Sequence, residues 1–199
     1  SNLILIRHGQ SVWNASNRFT GWTDVDLSEK GVLEAEQAGR ELSALRIDVV
    51  HTSDLIRAQR TAEINKQLKE TSEVAVTKYD WRLNERNYGS LQGLNKAETA
   101  EKHGANQVHI WRRSFDIPPP GGESLKMNAA RTVPYFEGTI MRDLEAGKNV
   151  LISAHGNSLR SIVMHIESIS PEDIVSVEIP TGKPLYYKFE DGQITRGAL

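Results

Sequence analysis

The chain has 199 residues, of which 38% are hydrophobic and 25% charged, values typical of a folded domain with its own core. Its formal net charge of −2 excludes the basic excess that favours nucleic acid or an anionic membrane. The sequence contains no cysteine, which excludes disulfides and thiolate metal sites and fits a reducing compartment, and no apolar run approaches the ~18 residues of a membrane span. We expect one domain over residues 1–199.

The first predicted element is a buried strand, Leu3–Ile6, which ends abruptly in Arg7-His8-Gly9. The end of a parallel strand is where open α/β sheets bind ligands. An imidazole can attack phosphorus, and a guanidinium matches the geometry of phosphate oxygens. The tripeptide alone is equally compatible with a structural histidine bonded to backbone and an arginine in a surface ion pair.

Strand and helix patterns then alternate. Ser28 can cap a helix that runs to about Leu45, because residues 32, 35, 39 and 42 share one face. A strand follows over 48–52, then a helix capped by Ser53 or Asp54. The next patterns predict a strand over 74–79 and a short helix over 95–103 that Gly104 ends.

The second half continues the alternation. A long helix lies within 123–145, where Pro134 must kink or interrupt it. A strand is predicted over 150–154 and a helix over 157–167, followed by strands over 175–179 and 185–189, the latter continuing into an Asp191-Gly192 hairpin turn. Repeated βα units imply an α/β fold, a three-layer α/β/α arrangement with a mainly parallel central sheet and helices on both faces.

The strand over 150–154 also ends in a histidine and a glycine, His155-Gly156. If both strands are central and parallel, both imidazoles lie at one edge of the sheet, although they are far apart in sequence. A lone strand-end histidine is usually structural. The second one, with its own glycine and with Arg7 nearby, favours a phosphate site.

Other arginines could join this edge. Arg57 is in the first turns of a helix that follows a strand, where the helix N-terminus adds positive potential. Arg112 and Arg113 are adjacent, so both can reach one ligand only near a helix end or in a loop. Taken singly, Arg57 favours the interpretation as a solvated helix arginine, and Arg112 and Arg113 are also compatible with a solvated basic pair.

The chain resembles the cofactor-dependent phosphoglycerate mutases of the histidine phosphatase superfamily. The Asn84–Gly89 and Trp111–Arg113 stretches are the most specific to the mutase branch. The matching stretches cover nearly the whole chain in order: Arg7–Asn14, Phe19–Trp22, Leu27–Gly31, Thr52–Ala58, Trp81–Gly89, Leu91–Lys96, Trp111–Phe115 and Ala154–Ser158.

This resemblance implies a phosphoglycerate mutase-like fold and an isomerase of glycolysis and gluconeogenesis that interconverts 2-phosphoglycerate and 3-phosphoglycerate. His8 would be the nucleophile, primed by 2,3-bisphosphoglycerate, with a hydrogen bond from its other ring nitrogen to a backbone carbonyl fixing the tautomer. Arg7, Arg57 and His155 would surround the phosphoryl group, and Glu85 would be the general acid and base. The resemblance further implies no metal, small-molecule partners only, a cytoplasmic location, and a homo-oligomer (dimer or tetramer).

The substrate-binding residues that the resemblance implies are mostly cationic or amide groups, as a substrate with a carboxylate and a phosphate requires. They are Arg7, Ser11, Asn14, Thr20, Gly21, Arg57, Glu85, Tyr88, Lys96, Arg112, Arg113, Gly156 and Asn157. The other four histidines, His51, His103, His109 and His165, are interpreted as structural or surface residues.

The chain departs from the family at Gln10, where Glu is common, at Asn87, where His is frequent, and in a short 115–123 segment. The short segment bears on the exclusion of water and mildly favours the alternative enzyme, a histidine phosphatase that hydrolyses a small phosphomonoester. Lys96 and the arginine pair argue against the phosphatase. A non-catalytic module that binds phosphorylated ligands would need neither His8 nor Glu85.

Overall fold

A computed structural model describes residues 1–70 and 75–197. Its six-stranded sheet has the order β3-β2-β4-β1-β5-β6. The strands are β1 (Asn2–Arg7), β2 (Val49–Thr52), β3 (Val76–Tyr79), β4 (Val150–Ala154), β5 (Leu185–Glu190) and β6 (Gln193–Arg196). Strands β3, β2, β4 and β1 are mutually parallel, while β5 runs antiparallel to β1 and pairs with β6. The predicted, mainly parallel sheet is confirmed, with an antiparallel hairpin at one edge.

Helices join the strands and cover both faces of the sheet. The helices are α1 (Val12–Ala15), α2 (Glu29–Glu41), α3 (Ile56–Gln67), α4 (Lys96–His103), α5 (Ala105–Arg113), α6 (Leu125–Tyr135), α7 (Met141–Glu145), α8 (Gly156–Glu167) and α9 (Pro171–Ile174). Short 3-10 turns lie at Trp81–Leu83 and Gly89–Leu91. Among the described residues, no helix is both long enough and apolar enough to span a bilayer.

Two hydrophobic cores, one on each face of the sheet, join the sheet to its two layers of helices. Side chains alternate along a strand, and in β1 Leu3 and Leu5 join one buried cluster while Ile4 and Ile6 join another. The first cluster includes α6, α7 and α8 residues, and the second includes Ala38 of α2 and Ala62 of α3. Because both faces are buried, the central strands β1 and β4 are mainly apolar.

The segment over 175–179 is not a strand, contrary to the sequence prediction. Residues 175 and 176 form a turn after α9, with Val177 N–H donating to the Ile174 carbonyl. Both edges of β1 are already paired, to β4 and to β5, so only an isolated bridge between Arg7 and Thr181 forms. The segment therefore crosses the carboxyl end of the sheet instead of joining it.

Several element boundaries also differ. Ser28 caps α2 as predicted, but this helix ends at Glu41. The N-cap residue of α3 is Leu55 rather than Ser53 or Asp54. The Ser53 side chain instead bonds to His155 Nε2 and accepts from the Leu55 N–H. Residue 74 of the strand predicted over 74–79 lies outside the described residues, and β3 begins at Val76.

Pro134 interrupts the long helix as expected. It lies in the last turn of α6, and a five-residue π-helical segment, Phe136–Ile140, follows before α7. Proline removes one hydrogen bond of the helical ladder and clashes with the preceding turn, and a π-helical segment can absorb such a defect.

Candidate active site

His8 lies just beyond β1 and is 2% exposed. Its Nδ1 donates to the Gly9 carbonyl across 2.6 Å. The Nδ1 proton leaves Nε2 with an unshared electron pair, which is the tautomer that a nucleophile needs. Burial lowers the pKa of His8 well below 6.5, and the charges of Arg57 and Arg7 lower it further. His8 is therefore a neutral imidazole at physiological pH.

His155 follows β4, the parallel neighbour of β1. The register pairs Arg7 with Ala154, so the next residue of each strand is a histidine at the same sheet edge. The two imidazole centroids are 5.1 Å apart. His155 Nε2 lies 2.7 Å from Ser53 Oγ, and burial, followed by the charge of Arg57, lowers its pKa well below 6.5. The structure therefore brings together the two histidines that the sequence placed on separate strands.

Arg57 is not a solvated surface residue, because it is only 1% exposed. Its guanidinium donates to the carbonyls of Gly21 and Thr23, across 2.7 and 3.0 Å. Burial lowers its pKa to about 10, so it remains a cation near neutral pH. The loop over 20–24 thus holds a fixed positive charge beside both imidazoles.

Arg7 is tied to the crossing segment, since its Nη1 donates to the Ile179 carbonyl across 3.0 Å. Its buried Nε has no hydrogen-bond partner among the described residues. An unpartnered buried donor is costly in a folded protein, and a bound anion would relieve that cost.

Gly9 is required by a close approach of two backbone segments. A Cβ at this position would lie 2.1 Å from the Gly31 carbonyl oxygen, a distance that excludes any side chain. The contact packs the end of β1 against the first turn of α2, and it fixes the carbonyl that orients His8.

Glu85 is 8% exposed and forms no ion pair with Arg82 or with the adjacent Arg86. Arg82 pairs with Asp80 instead. Glu85 Oε1 accepts from the backbone N–H groups of Arg86 and Asn157, across 2.7 and 3.1 Å. The second bond ties the carboxylate to the first turn of α8, directly after His155.

These groups surround a cavity of about 370 Å³, a size suited to a small ligand. Its lining includes every residue named as catalytic or substrate-binding on sequence grounds except Ser11 and His155. Ser11 caps α1: its Oγ accepts from Asn14 N–H, and Asn14 Oδ1 accepts from Ser11 N–H. Ser11 therefore orients Asn14 from behind the cavity wall.

Helices α4 and α5 supply further cations to the cavity wall. Lys96 begins α4, and its pKa is lowered by burial and then by Arg112. Arg112 and Arg113 are the last two residues of α5, the only kind of helical position from which adjacent side chains can reach one ligand. The structure places both in the cavity lining.

Several lining residues are not among the sequence-predicted site residues: Arg18, Arg160 and the segment Val177–Pro180, which includes Glu178. Arg160 was detectable in principle, because it lies three residues after Asn157 on one helix and so faces the same side. The crossing segment was not detectable, because its apolar residues imitate a strand.

The remaining histidines lie outside the cavity lining. His51 is fully buried and bonds to Tyr135 and Asp143, across 2.9 and 2.7 Å. His103 packs against Trp111, and His165 bonds to Glu137 at the surface. Their packing fits the structural or surface roles expected of them.

The buried neutral imidazoles predict acid sensitivity of the fold. Unfolding restores a pKa near 6.5 to His8 and His155, so the unfolded chain binds more protons as the pH falls through 6.5. The free energy of unfolding should therefore decrease below pH 6.5, by at most about 1.4 kcal/mol per pH unit for each histidine. Urea denaturation between pH 7.5 and 5 measures this, and His8→Asn should lessen the slope. Ring-proton NMR signals of His8 that titrate near pH 6.5 in the folded protein would contradict the prediction.

Comparison with known proteins agrees with this geometry. The sequence profile of the histidine phosphatase superfamily (branch 1) matches residues 3–196. A 2,3-bisphosphoglycerate-dependent phosphoglycerate mutase of Protochlamydia amoebophila is 48% identical over 213 residues, covering 94% of each chain. The enzyme of the same name from Parvibaculum lavamentivorans is 51% identical, covering 95% of this chain and 90% of its own.

Solved structures share the fold at lower identity. A mycobacterial glucosyl-3-phosphoglycerate phosphatase superimposes with a TM-score of 0.85 at 25% identity, covering all of this chain and 98% of its own. YhfR of Bacillus stearothermophilus has the same TM-score at 26% identity, covering 98% and 94% of the two chains. From the matched profile, the near-full-length relatives and the shared fold, we conclude that this chain belongs to the histidine phosphatase superfamily and, within it, to the family of 2,3-bisphosphoglycerate-dependent phosphoglycerate mutases.

Proposed function

We propose that the protein interconverts 2-phosphoglycerate and 3-phosphoglycerate through a phosphohistidine at His8, primed by 2,3-bisphosphoglycerate. The observation that carries this proposal is the neutral His8 imidazole, with Nε2 unprotonated, at a cavity lined by seven basic side chains and two carboxylates among the described residues. Hydrolysis of a simple phosphomonoester needs fewer cations. The excess suits a ligand that carries a carboxylate as well as phosphate.

The residues present also fit bisphosphoglycerate, whose two phosphates and carboxylate require several separated cations. Arg7, Arg57 and His155 lie around the His8 imidazole and would stabilise the phosphoryl group in transfer. Preorganised donors of this kind are typically worth about 3–4 kcal/mol each in the transition state. Lys96, Arg112 and Arg113 line the same cavity and would hold the rest of the ligand.

Glu85 is the proposed proton carrier. Its Oε1 accepts two backbone hydrogen bonds, while Oε2 takes part in none within the described residues, so Oε2 is available to a ligand. As the substrate hydroxyl attacks phosphorus, its proton passes to Glu85 and the phosphorus–nitrogen bond breaks, returning the electron pair to His8 Nε2. In the opposite transfer, Glu85 returns a proton to the leaving oxygen.

The mutase outcome requires that water be kept from the phosphohistidine. Val177–Pro180 line the cavity, and this segment is held by Arg7 and by an ion pair between Arg113 and Glu178, at 3.3 Å. This added wall supports the mutase over the phosphatase alternative, although the 115–123 segment is short.

We expect mutase activity in a coupled assay to depend on added 2,3-bisphosphoglycerate and to be insensitive to a chelator. Within the described residues, no group of three or more His, Asp or Glu side chains could hold a metal ion, and metal independence stays a prediction that the chelator tests. His8→Ala should abolish turnover and labelled phosphohistidine, whereas His109→Ala, at an exposed position on α5, should retain both. Free phosphate as the dominant product would establish the phosphatase instead.

Glu85→Gln removes the proton carrier and keeps the size of the side chain. We expect kcat to fall by about 10²- to 10⁴-fold, the usual contribution of general acid–base catalysis. Glu98→Gln, at an exposed position of α4, is the matched control. Steady-state assays at saturating substrate measure kcat, and a loss of less than tenfold would rule out this role for Glu85.

We further propose a homo-oligomer in the cytoplasm. Strand β3 is an edge of the described sheet, and Val76, Tyr79 and Trp81 on and beside it are 59%, 58% and 48% exposed. An exposed apolar edge strand favours pairing with a second chain. Light scattering should give at least a dimer, and Val76→Lys should shift it toward the monomer. A wild-type monomer at micromolar concentration would contradict this proposal.

A further inference from the structure

Arg160 is an arginine of α8 that no role assigned so far uses. It is 5% exposed and lines the cavity. Nη1 donates to Asn157 Oδ1 across 2.9 Å, and Nη2 donates to the Ile174 carbonyl across 2.6 Å. The guanidinium therefore links the first turn of α8 to the end of α9, where the crossing segment begins.

Arg160 forms no direct ion pair among the described residues, and the Glu85 carboxylate acts on it only at longer range. Burial and then the neighbouring cation Arg113 lower its pKa to about 10, so it stays protonated near neutral pH. No ion pair to Arg160 is found within residues 1–70 and 75–197, and its buried Nε has no hydrogen-bond partner there. A buried cation without a paired carboxylate is costly, and an anionic ligand in the cavity would offset that cost.

The contact with Asn157 fixes the orientation of an amide. A guanidinium can only donate, so the amide atom that faces Arg160 must be the oxygen. The Asn157 NH₂ group then has both of its protons available, and no hydrogen bond within the described residues uses them. The backbone N–H of the same residue donates to Glu85. One residue thus holds the carboxylate through its main chain and presents two donors through its side chain.

We propose that Arg160 is a positioning residue for the proposed phosphoryl transfer: it turns the Asn157 NH₂ group toward an acceptor oxygen of the bound phosphoglycerate. This inference rests on the proposed function. It assigns Arg160 a role that depends on the geometry of its guanidinium and acts through Asn157.

A double-mutant cycle tests the proposal. Arg160→Lys keeps the charge but loses the planar fork that spans Asn157 and Ile174. We expect it to lower kcat/KM by about 10- to 100-fold, the scale of a small misplacement at a reacting centre. In an Asn157→Ala background, the same substitution should cost less than about threefold. Arg142→Lys, at an exposed position on α7, is the matched control and should be neutral.

Two outcomes would overturn the proposal. If Arg160→Lys has the wild-type kcat/KM, a positive charge at this position is sufficient for activity. If the substitution lowers kcat/KM equally in the wild-type and Asn157→Ala backgrounds, Arg160 has a general structural role. The midpoint of thermal unfolding and the stoichiometry of labelled phosphohistidine are measured for each variant, so that misfolded protein is not scored as a catalytic loss.

A second measurement does not depend on any Arg160 variant or on turnover. In wild-type protein labelled with ¹⁵N, the two Asn157 side-chain amide protons, assigned by their absence in Asn157→Ala, should shift when 3-phosphoglycerate is added. Unchanged signals at saturating ligand would overturn the inference about Arg160. A wild-type protein that shows the shift but no mutase activity would instead contradict the proposed function.

Discussion

The parallel register between β1 and β4 is the constraint on which the site depends. It places His8 and His155 at the same edge of the sheet, with ring centroids 5.1 Å apart. A shift of one residue in the pairing would turn the side chains of one strand to the opposite face and would separate the imidazoles. The apolar cores on both faces hold this register, so the packing of the sheet and the chemistry of the site have one origin.

The electrostatics of the site follow from burial. Water is excluded from both imidazoles and from Arg57, which keeps the histidines neutral while the guanidinium remains charged. Such a site is costly to fold in the absence of ligand, since several donors, including Arg7 Nε and Arg160 Nε, lack partners among the described residues. Functional sites often contain unfavourable interactions, and the rest of the fold must offset their free-energy cost. Here, the two apolar cores supply the compensating stability.

The sequence predicted the elements whose signals are local. The apolar strand ending in Arg7-His8-Gly9 and the cap at Ser28 lie where they were expected. The segment over 175–179 was mistaken for a strand, because nothing local shows that both edges of β1 are already paired. Ser53 is one of the two predicted caps of α3 for a similar reason: its partner, His155, is distant in sequence.

From the sequence alone, each arginine of the site is also compatible with a place on the surface. The other substrate-binding residues are predicted only by the resemblance to the family. Arg18 and Arg160 escaped both arguments, although both line the cavity. The spacing from Asn157 places Arg160 on the same face of α8, but only its contacts show that this side chain connects two helices. Tertiary contacts of this kind cannot be deduced from spacing.

The seven basic side chains of the cavity wall belong to a molecule whose formal net charge is −2. The charge distribution is therefore strongly polarised. At long range, the net negative charge repels an anion weakly. Within about one Debye length of the cavity opening, ~8 Å at physiological ionic strength, the basic side chains attract it. The cavity acts as an electrostatic funnel, and the rate at which anions enter it is governed by the local field and the salt concentration rather than by the isoelectric point of the protein.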